Sequence, residues 1–348
     1  MDHATGEGTA AVGSWRVARS TERLLRVFSD PDHDDGSWSP LSVPSHWQTA
    51  EEFADFDGTL LYRADVTVPT LQPGQRRWLR FQGICYSGDV FLDGAYLGET
   101  EGYFSHHRFE ITDVAATAGT STLAVEVGAP RNTVGEPKRT ITGWFTDGPG
   151  APAGWNPAGI WRPVDLIDTG PVAFRYFRAI CTSADQRRAT ISLRAVLDVA
   201  EPGDLEFITE VAGVNHSHVH TVAGGENRVE WQVGVDDPAL WHPHGLGAQP
   251  LFDLRVQVRT SDGTISDRRH RRIGFRSTSM QDFILRVNGT RVFMKGVYVA
   301  PFRLDLAGMT PEELRAEAIA IRDAGFTLVR VRSHVTRPEF YEACDELG

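Results

Sequence analysis

From Asn288 onward, short strand-like runs alternate with helical patterns, and this alternation constrains the fold more than any other feature of the chain. Asn288-Gly289 supplies a two-residue hairpin turn into the run Val292-Phe293-Met294-Lys295-Gly296-Val297-Tyr298. A helix is expected from about Pro311 to Ala324, then the strand Phe326-Thr327-Leu328-Val329-Arg330-Val331, then a second helix from Pro338. Strand–helix–strand–helix order is the repeating unit of a (β/α)₈ barrel, which takes eight units and about 250 residues. Residues 278–348 have room for the first two β/α units of an incomplete barrel. Barrel chemistry sits at the C-terminal ends of many strands. Most of that machinery is therefore expected beyond Gly348.

The rest of the chain reads as mainly β. Tyr62-Arg63-Ala64-Asp65-Val66-Thr67-Val68, Trp78-Leu79-Arg80-Phe81 and Leu123-Ala124-Val125-Glu126-Val127 alternate apolar and polar residues, and Asp93-Gly94 marks a tight hairpin. Residues 1–169 suit a jelly-roll sandwich. Within it, residues 131–161 form a Gly-, Pro- and Trp-rich stretch without period, which reads as a functional loop. Residues 170–277 carry short strands again, with a turn at Asp262-Gly263, and suit an immunoglobulin-like sandwich.

Composition narrows the partners. The net charge of −11 and the lack of a basic stripe argue against nucleic acid. Lysine occurs only at Lys138 and Lys295. Cys85, Cys181 and Cys344 are widely spaced and make neither a disulfide framework nor a zinc site. The polar N-terminus and the lack of a long apolar run point to no leader and no membrane span, hence a cytoplasmic protein. No Walker loop, Rossmann fingerprint or nucleophile elbow is present, and no cofactor is expected.

Two other clusters have plain readings. His216, His218 and His220 share one face of a strand, read as the outer face of a hairpin edge rather than a metal site. Asp30, Asp32, Asp34 and Asp35 lack the glycine and closing glutamate of a calcium loop and read as solvated.

Several motifs, taken in order, resemble glycoside hydrolase family 2. They are Val43-Pro44-Ser45-His46-Trp47-Gln48, Leu79-Arg80-Phe81-Gln82-Gly83, Val90-Phe91-Leu92-Asp93-Gly94, Gly159-Ile160-Trp161-Arg162-Pro163-Val164, Ile273-Gly274-Phe275-Arg276 and the closing Phe340–Gly348 segment. Leu240-Trp241-His242-Pro243-His244-Gly245 and Phe293-Met294-Lys295-Gly296 resemble the β-mannosidase branch. That branch usually carries an Asp-Trp-Gly-Pro segment where this chain has Gly150-Ala151-Pro152, which leaves Asp147 as the nearest acid.

The resemblance implies retaining hydrolysis of a terminal β-glycoside: a β-mannoside first, with a β-galactoside or β-glucuronide as alternatives. Its nucleophile and acid/base glutamates would lie on later strands, so no catalytic residue is assigned and the chain alone is expected to be inactive. The acids of the two helices, Glu312, Glu313, Glu317, Asp323, Glu339, Glu342, Asp345 and Glu346, are expected to meet solvent on the outer ring. Arg330 matches the family's arginine that orients the nucleophile. Arg332, His334 and Tyr298 are expected at the same mouth, with Trp144, Asp147, Trp155 and Asn156 brought there by the jelly-roll loop. Two other classes stay open. One is a carbohydrate-binding module without turnover. The other is a structural subunit, as a homo-oligomer or with a partner chain completing the barrel.

Overall fold

The computed structural model describes residues 10–115, 119–130, 141–143, 152 and 154–348. The first part is a two-sheet sandwich. A six-stranded sheet runs in the order Ser39–Leu41, Trp15–Arg19, Thr59–Val68, Gly119–Gly128, Ser87–Leu92, Ala95–Glu101. A four-stranded sheet, Ala10–Ala11, Val164–Thr169, Arg76–Phe81, His107–Glu110, faces it. Leu60, Tyr62, Ala64 and Val66 meet Leu79, Phe81 and Leu166 between the sheets. Asp93 (φ 48°) and Gly94 (φ 79°) form the expected turn between Ser87–Leu92 and Ala95–Glu101.

The strand Thr59–Val68 departs from simple alternation: Leu60 to Ala64 are buried on both faces. Segment 20–38 folds over the outer face and sets Phe28 and Trp38 on Leu61 and Ala124. Arg63 points into this layer with a side chain only 3% exposed. Its Nε donates to Asp35 Oδ2 at 2.8 Å, and its Nη1 donates to the carbonyls of Phe28 and Asp30 at 2.5 and 2.8 Å. Nη2 reaches the His33 carbonyl at 3.3 Å. The expectation of a wholly solvated aspartate loop is thus corrected at Asp35, which is buried, while Asp30, Asp32 and Asp34 are exposed. Loop oxygens that converge as they would on a metal ion converge instead on a guanidinium.

The second sandwich packs Val172–Ala184, Arg188–Val199 and Gly225–Asp236 against Val214–Val222, Gly203–Val211, Phe252–Arg259 and Ile265–Ile273. Strand Arg188–Val199 alternates cleanly and sends Ile191, Leu193, Ala195 and Leu197 into the core. The histidine cluster lies on the other face from the one expected. His218 pairs with Phe207 across the strands and stacks on its ring at 5.2 Å and 15°, with Trp231 at 5.3 Å. Val214–Val222 is an edge strand, so its inward residues close the rim of the core and are only partly covered. An imidazole tolerates that position better than an aliphatic chain. Among the described residues no group of three or more His, Cys, Asp or Glu is placed to hold a metal ion, and no helix is long and apolar enough to cross a membrane.

The last part begins with a three-stranded antiparallel sheet, Thr278–Gln281, Ile284–Val287 and Thr290–Val292. A parallel pair follows, Gly296–Val299 beside Leu328–Val331, joined through the helix Pro311–Asp323 and followed by Pro338–Leu347. The helix start is well specified. Thr310 Oγ1 accepts from Glu313 N, Glu313 accepts from Thr310 N, and Pro311 occupies the first turn. The run expected over 292–298 is two strands rather than one. Val292 ends the antiparallel hairpin, and Phe293 to Lys295 carry the chain across to the parallel pair. There the Phe293 carbonyl accepts from Thr327 Oγ1 at 3.0 Å and the Lys295 carbonyl from Thr327 N at 2.9 Å. Leu306, Met309, Leu314 and Phe340 join the same core as the jelly roll.

Candidate functional site

Alternation along the parallel pair decides which side chains face the barrel interior. Val299, Val329 and Val331 turn toward the helices and are buried or half-buried. Tyr298 and Arg330, directly paired across the strands, turn the other way and are exposed. Arg330 Nη1 donates to Tyr298 Oη at 3.2 Å, and its guanidinium stands 5.1 Å from the Tyr298 ring centre. Arg332, in the following loop, reaches the same ring at 5.9 Å. Two cations around one aromatic ring make a donor-rich surface suited to carboxylate and hydroxyl oxygens.

The loop after this strand is tightly shaped. Ser333 adopts φ 53°, and His334 folds under it, buried, with Nδ1 2.8 Å from the Arg332 carbonyl. Burial pushes its imidazole pKa down. The jelly-roll loop touches here: a Cβ on Gly143 (φ 62°) would fall 1.6 Å from the Ser333 carbonyl oxygen. Only a glycine lets the two backbones approach this closely. Trp144 and Asp147, expected to reach the same mouth, lie outside the described residues.

Trp155 is half-buried and meets His46 edge-on at 6.0 Å. Asn156 is turned inward. It is 2% exposed, its Nδ2 donates to the Ala129 carbonyl at 2.7 Å, and its backbone N donates to Gln48 Oε1 at 2.6 Å. It therefore anchors the loop and presents no free amide at the mouth. Sequence reasoning gave no role to His46, which is fully buried. Its ring stacks on Trp161 at 6.0 Å and 14°, and its Nε2 lies 3.3 Å from Tyr103 Oη. Burial drives its pKa down to about 4, with Asp305 opposing the shift. Asp305 follows the first barrel strand, so this cluster joins the jelly roll to the barrel opening. The signal in the sequence was a titratable residue beside Trp47 in a motif otherwise read as framework.

Three of the helix carboxylates are engaged away from the strand ends. Glu313 closes the capping box and meets Arg303 at 3.2 Å, and Glu339 meets Arg337 at 2.5 Å. Glu346 bridges Arg272 and Arg315. None of them stands at the strand ends beside Arg330.

The sequence profile described as "Glycosyl hydrolase 2 galactose-binding domain-like" matches residues 33–150, and that of "Glycosyl hydrolases family 2" matches residues 179–276. The chain belongs to glycoside hydrolase family 2. Its relatives include a β-galactosidase of Priestia megaterium, 23% identical over 97% of this chain and 34% of that protein. An exo-β-D-glucosaminidase of Streptomyces avermitilis is 26% identical over 85% and 33%. A β-mannosidase B of Aspergillus oryzae is 26% identical over 84% and 38%. The chain thus spans about a third of the length of these relatives. Two solved structures share the fold. An exo-chitosanase of Amycolatopsis orientalis gives a TM-score of 0.80 at 21% identity, over 97% of this chain and 42% of that one. A β-D-mannosidase of Dictyoglomus thermophilum gives 0.77 at 21%, over 97% and 46%.

Proposed function

We propose that this chain frames the sugar pocket of a retaining β-glycosidase and that, by itself, it does not hydrolyse glycosides. The observation that carries this reading is the placement of Arg330 and Tyr298 on the interior face of the parallel pair, exposed and facing away from the helices. A guanidinium fork there would hold a catalytic carboxylate in one orientation and keep it ionised for attack on the anomeric carbon. Retention also requires two carboxyl groups about 5–5.5 Å apart, one as nucleophile and one as acid and then base. Glu313, Glu339 and Glu346 of the barrel opening are held in ion pairs and a helix cap instead. Arg332 and Trp155 would contact sugar hydroxyls and ring faces, while His334 and Asn156 would hold their loops in place. The Trp241-His242-Pro243 segment favours a β-mannoside, with β-galactosides and β-glucuronides as the other glycones.

The test is a panel of p-nitrophenyl β-mannoside, β-galactoside and β-glucuronide incubated with the purified chain. The expected outcome is p-nitrophenol release indistinguishable from buffer. Turnover at about 1 s⁻¹ or faster, in the ordinary enzyme range, on any of the three would refute the reading.

A further inference from the structure

A cleft of about 650 Å³ lies where the two sandwiches meet, and it shares no lining residue with the site above. One wall comes from the jelly roll at Gln75 and Asp168 to Pro171; the floor is the strands Phe252–Arg259 and Ile265–Ile273. The cleft is preformed. The Gly170 N–H donates to the Ser266 carbonyl and the Val172 N–H to Ser266 Oγ, both at 2.7 Å. Arg76 ties Glu110 of the first sandwich to Asp198 of the second at 2.6 and 2.7 Å.

Its electrostatics run against the rest of the molecule, whose net charge is −11. Register sets Gln257 opposite Arg268 and Arg255 opposite His270, so amide and cationic groups form a small lattice on one sheet face. Both acids that line the cleft are already neutralised. Asp168 takes two 2.7 Å bonds from Arg77, and Asp267 takes Arg269 at 2.7 Å with the backbone N–H groups of Phe174 and Arg268. Asp253 bridges His270 at 2.7 Å and Arg255 at 3.7 Å. The Arg268 guanidinium is exposed and has no acidic partner among the described residues.

We propose that this cleft binds a glycan bearing uronate carboxylates, with Arg268 and Arg255 as the anion-reading groups and Gln75, Gln257 and Thr264 serving the hydroxyls. A planar carboxylate fits the guanidinium fork, and among the described residues the open cleft is lined by no Phe, Tyr or Trp side chain that would anchor a peptide. The choice of a glycan rests on the carbohydrate reading above; the requirement for an anion does not.

Titration calorimetry of the intact chain with a short oligogalacturonate, in low salt, tests this. Binding is expected to weaken as salt rises. Arg268→Glu should lower the affinity by about tenfold or more, and Arg255→Glu by less, because Asp253 already shares its charge. Both side chains are exposed, so melting temperatures should match the parent. A neutral galactan oligosaccharide should give no heat. The assignment fails if the oligogalacturonate does not bind, if the neutral oligosaccharide binds equally, or if both variants bind as the parent does. Equal affinity for a poly-glutamate peptide would overturn the glycan while leaving the anion requirement.

Discussion

Acidification from pH 6.5 to 4 is expected to remove about 3 kcal/mol of stability through His46 alone, since its pKa falls to about 4 on folding. An unfolded imidazole takes up its proton near pH 6.5. The folded one, sealed between Trp161, Trp155 and Tyr103, resists until far lower. Between those values the unfolded chain holds more protons. Stability from this group is therefore complete above 6.5, lost as the pH falls through the window, and flat again below about 4. His107, His218 and His334 are also shifted down by burial and add to the same slope. Denaturant unfolding at a series of pH values measures it. His46→Asn keeps polarity and removes the titration, so its stability should be less dependent on pH across the window. An unchanged slope in that variant would place the acid sensitivity elsewhere.

Arg63→Met should cost about 2–4 kcal/mol, chiefly from buried carbonyls left without a donor, since Arg16 still pairs with Asp35 and no buried charge is stranded. Methionine keeps much of the stem packing but removes one of the two guanidinium partners of Asp35, Arg16 remaining at 2.8 Å, and leaves the carbonyls of Phe28 and Asp30 without their donor. Asp30→Ala is the contrast. Asp30 is exposed, and among the described residues its carboxylate accepts only the Asp32 N–H, at 2.9 Å, so the loss should stay near 0.5–1 kcal/mol on the usual scale of about 1 kcal/mol per hydrogen bond. Chemical denaturation of both variants decides the matter. A small loss for Arg63→Met would mean that the loop finds other donors, water included.

These two residues mark where reading the sequence stops. Hairpins at Asp93-Gly94 and Asn288-Gly289 were legible because left-handed backbone selects those residue types locally. The strand–helix–strand order after Asn288 was legible because its apolar period changes. Arg63 looked like an outward residue of an alternating strand. Nothing nearby reports that a segment some thirty positions earlier in the chain will cover that face. His218 was assigned outward for the opposite reason: polarity predicts exposure, but an edge strand lets an inward imidazole keep partial contact with water. At the candidate site, Arg330 and Tyr298 could be placed by strand parity. Asn156 could not, because its anchoring to Ala129 depends on where the loop returns.

The jelly roll and the barrel opening lie at opposite ends of the chain but share one apolar interior, whereas the second sandwich, which separates them in sequence, keeps its own. Cooperativity follows shared interior rather than chain order. The molecule should therefore open as two units instead of three. The two barrel helices would lose amide-exchange protection together with the N-terminal strands, and the central sandwich would respond separately, as an insertion between the two halves of one folding unit.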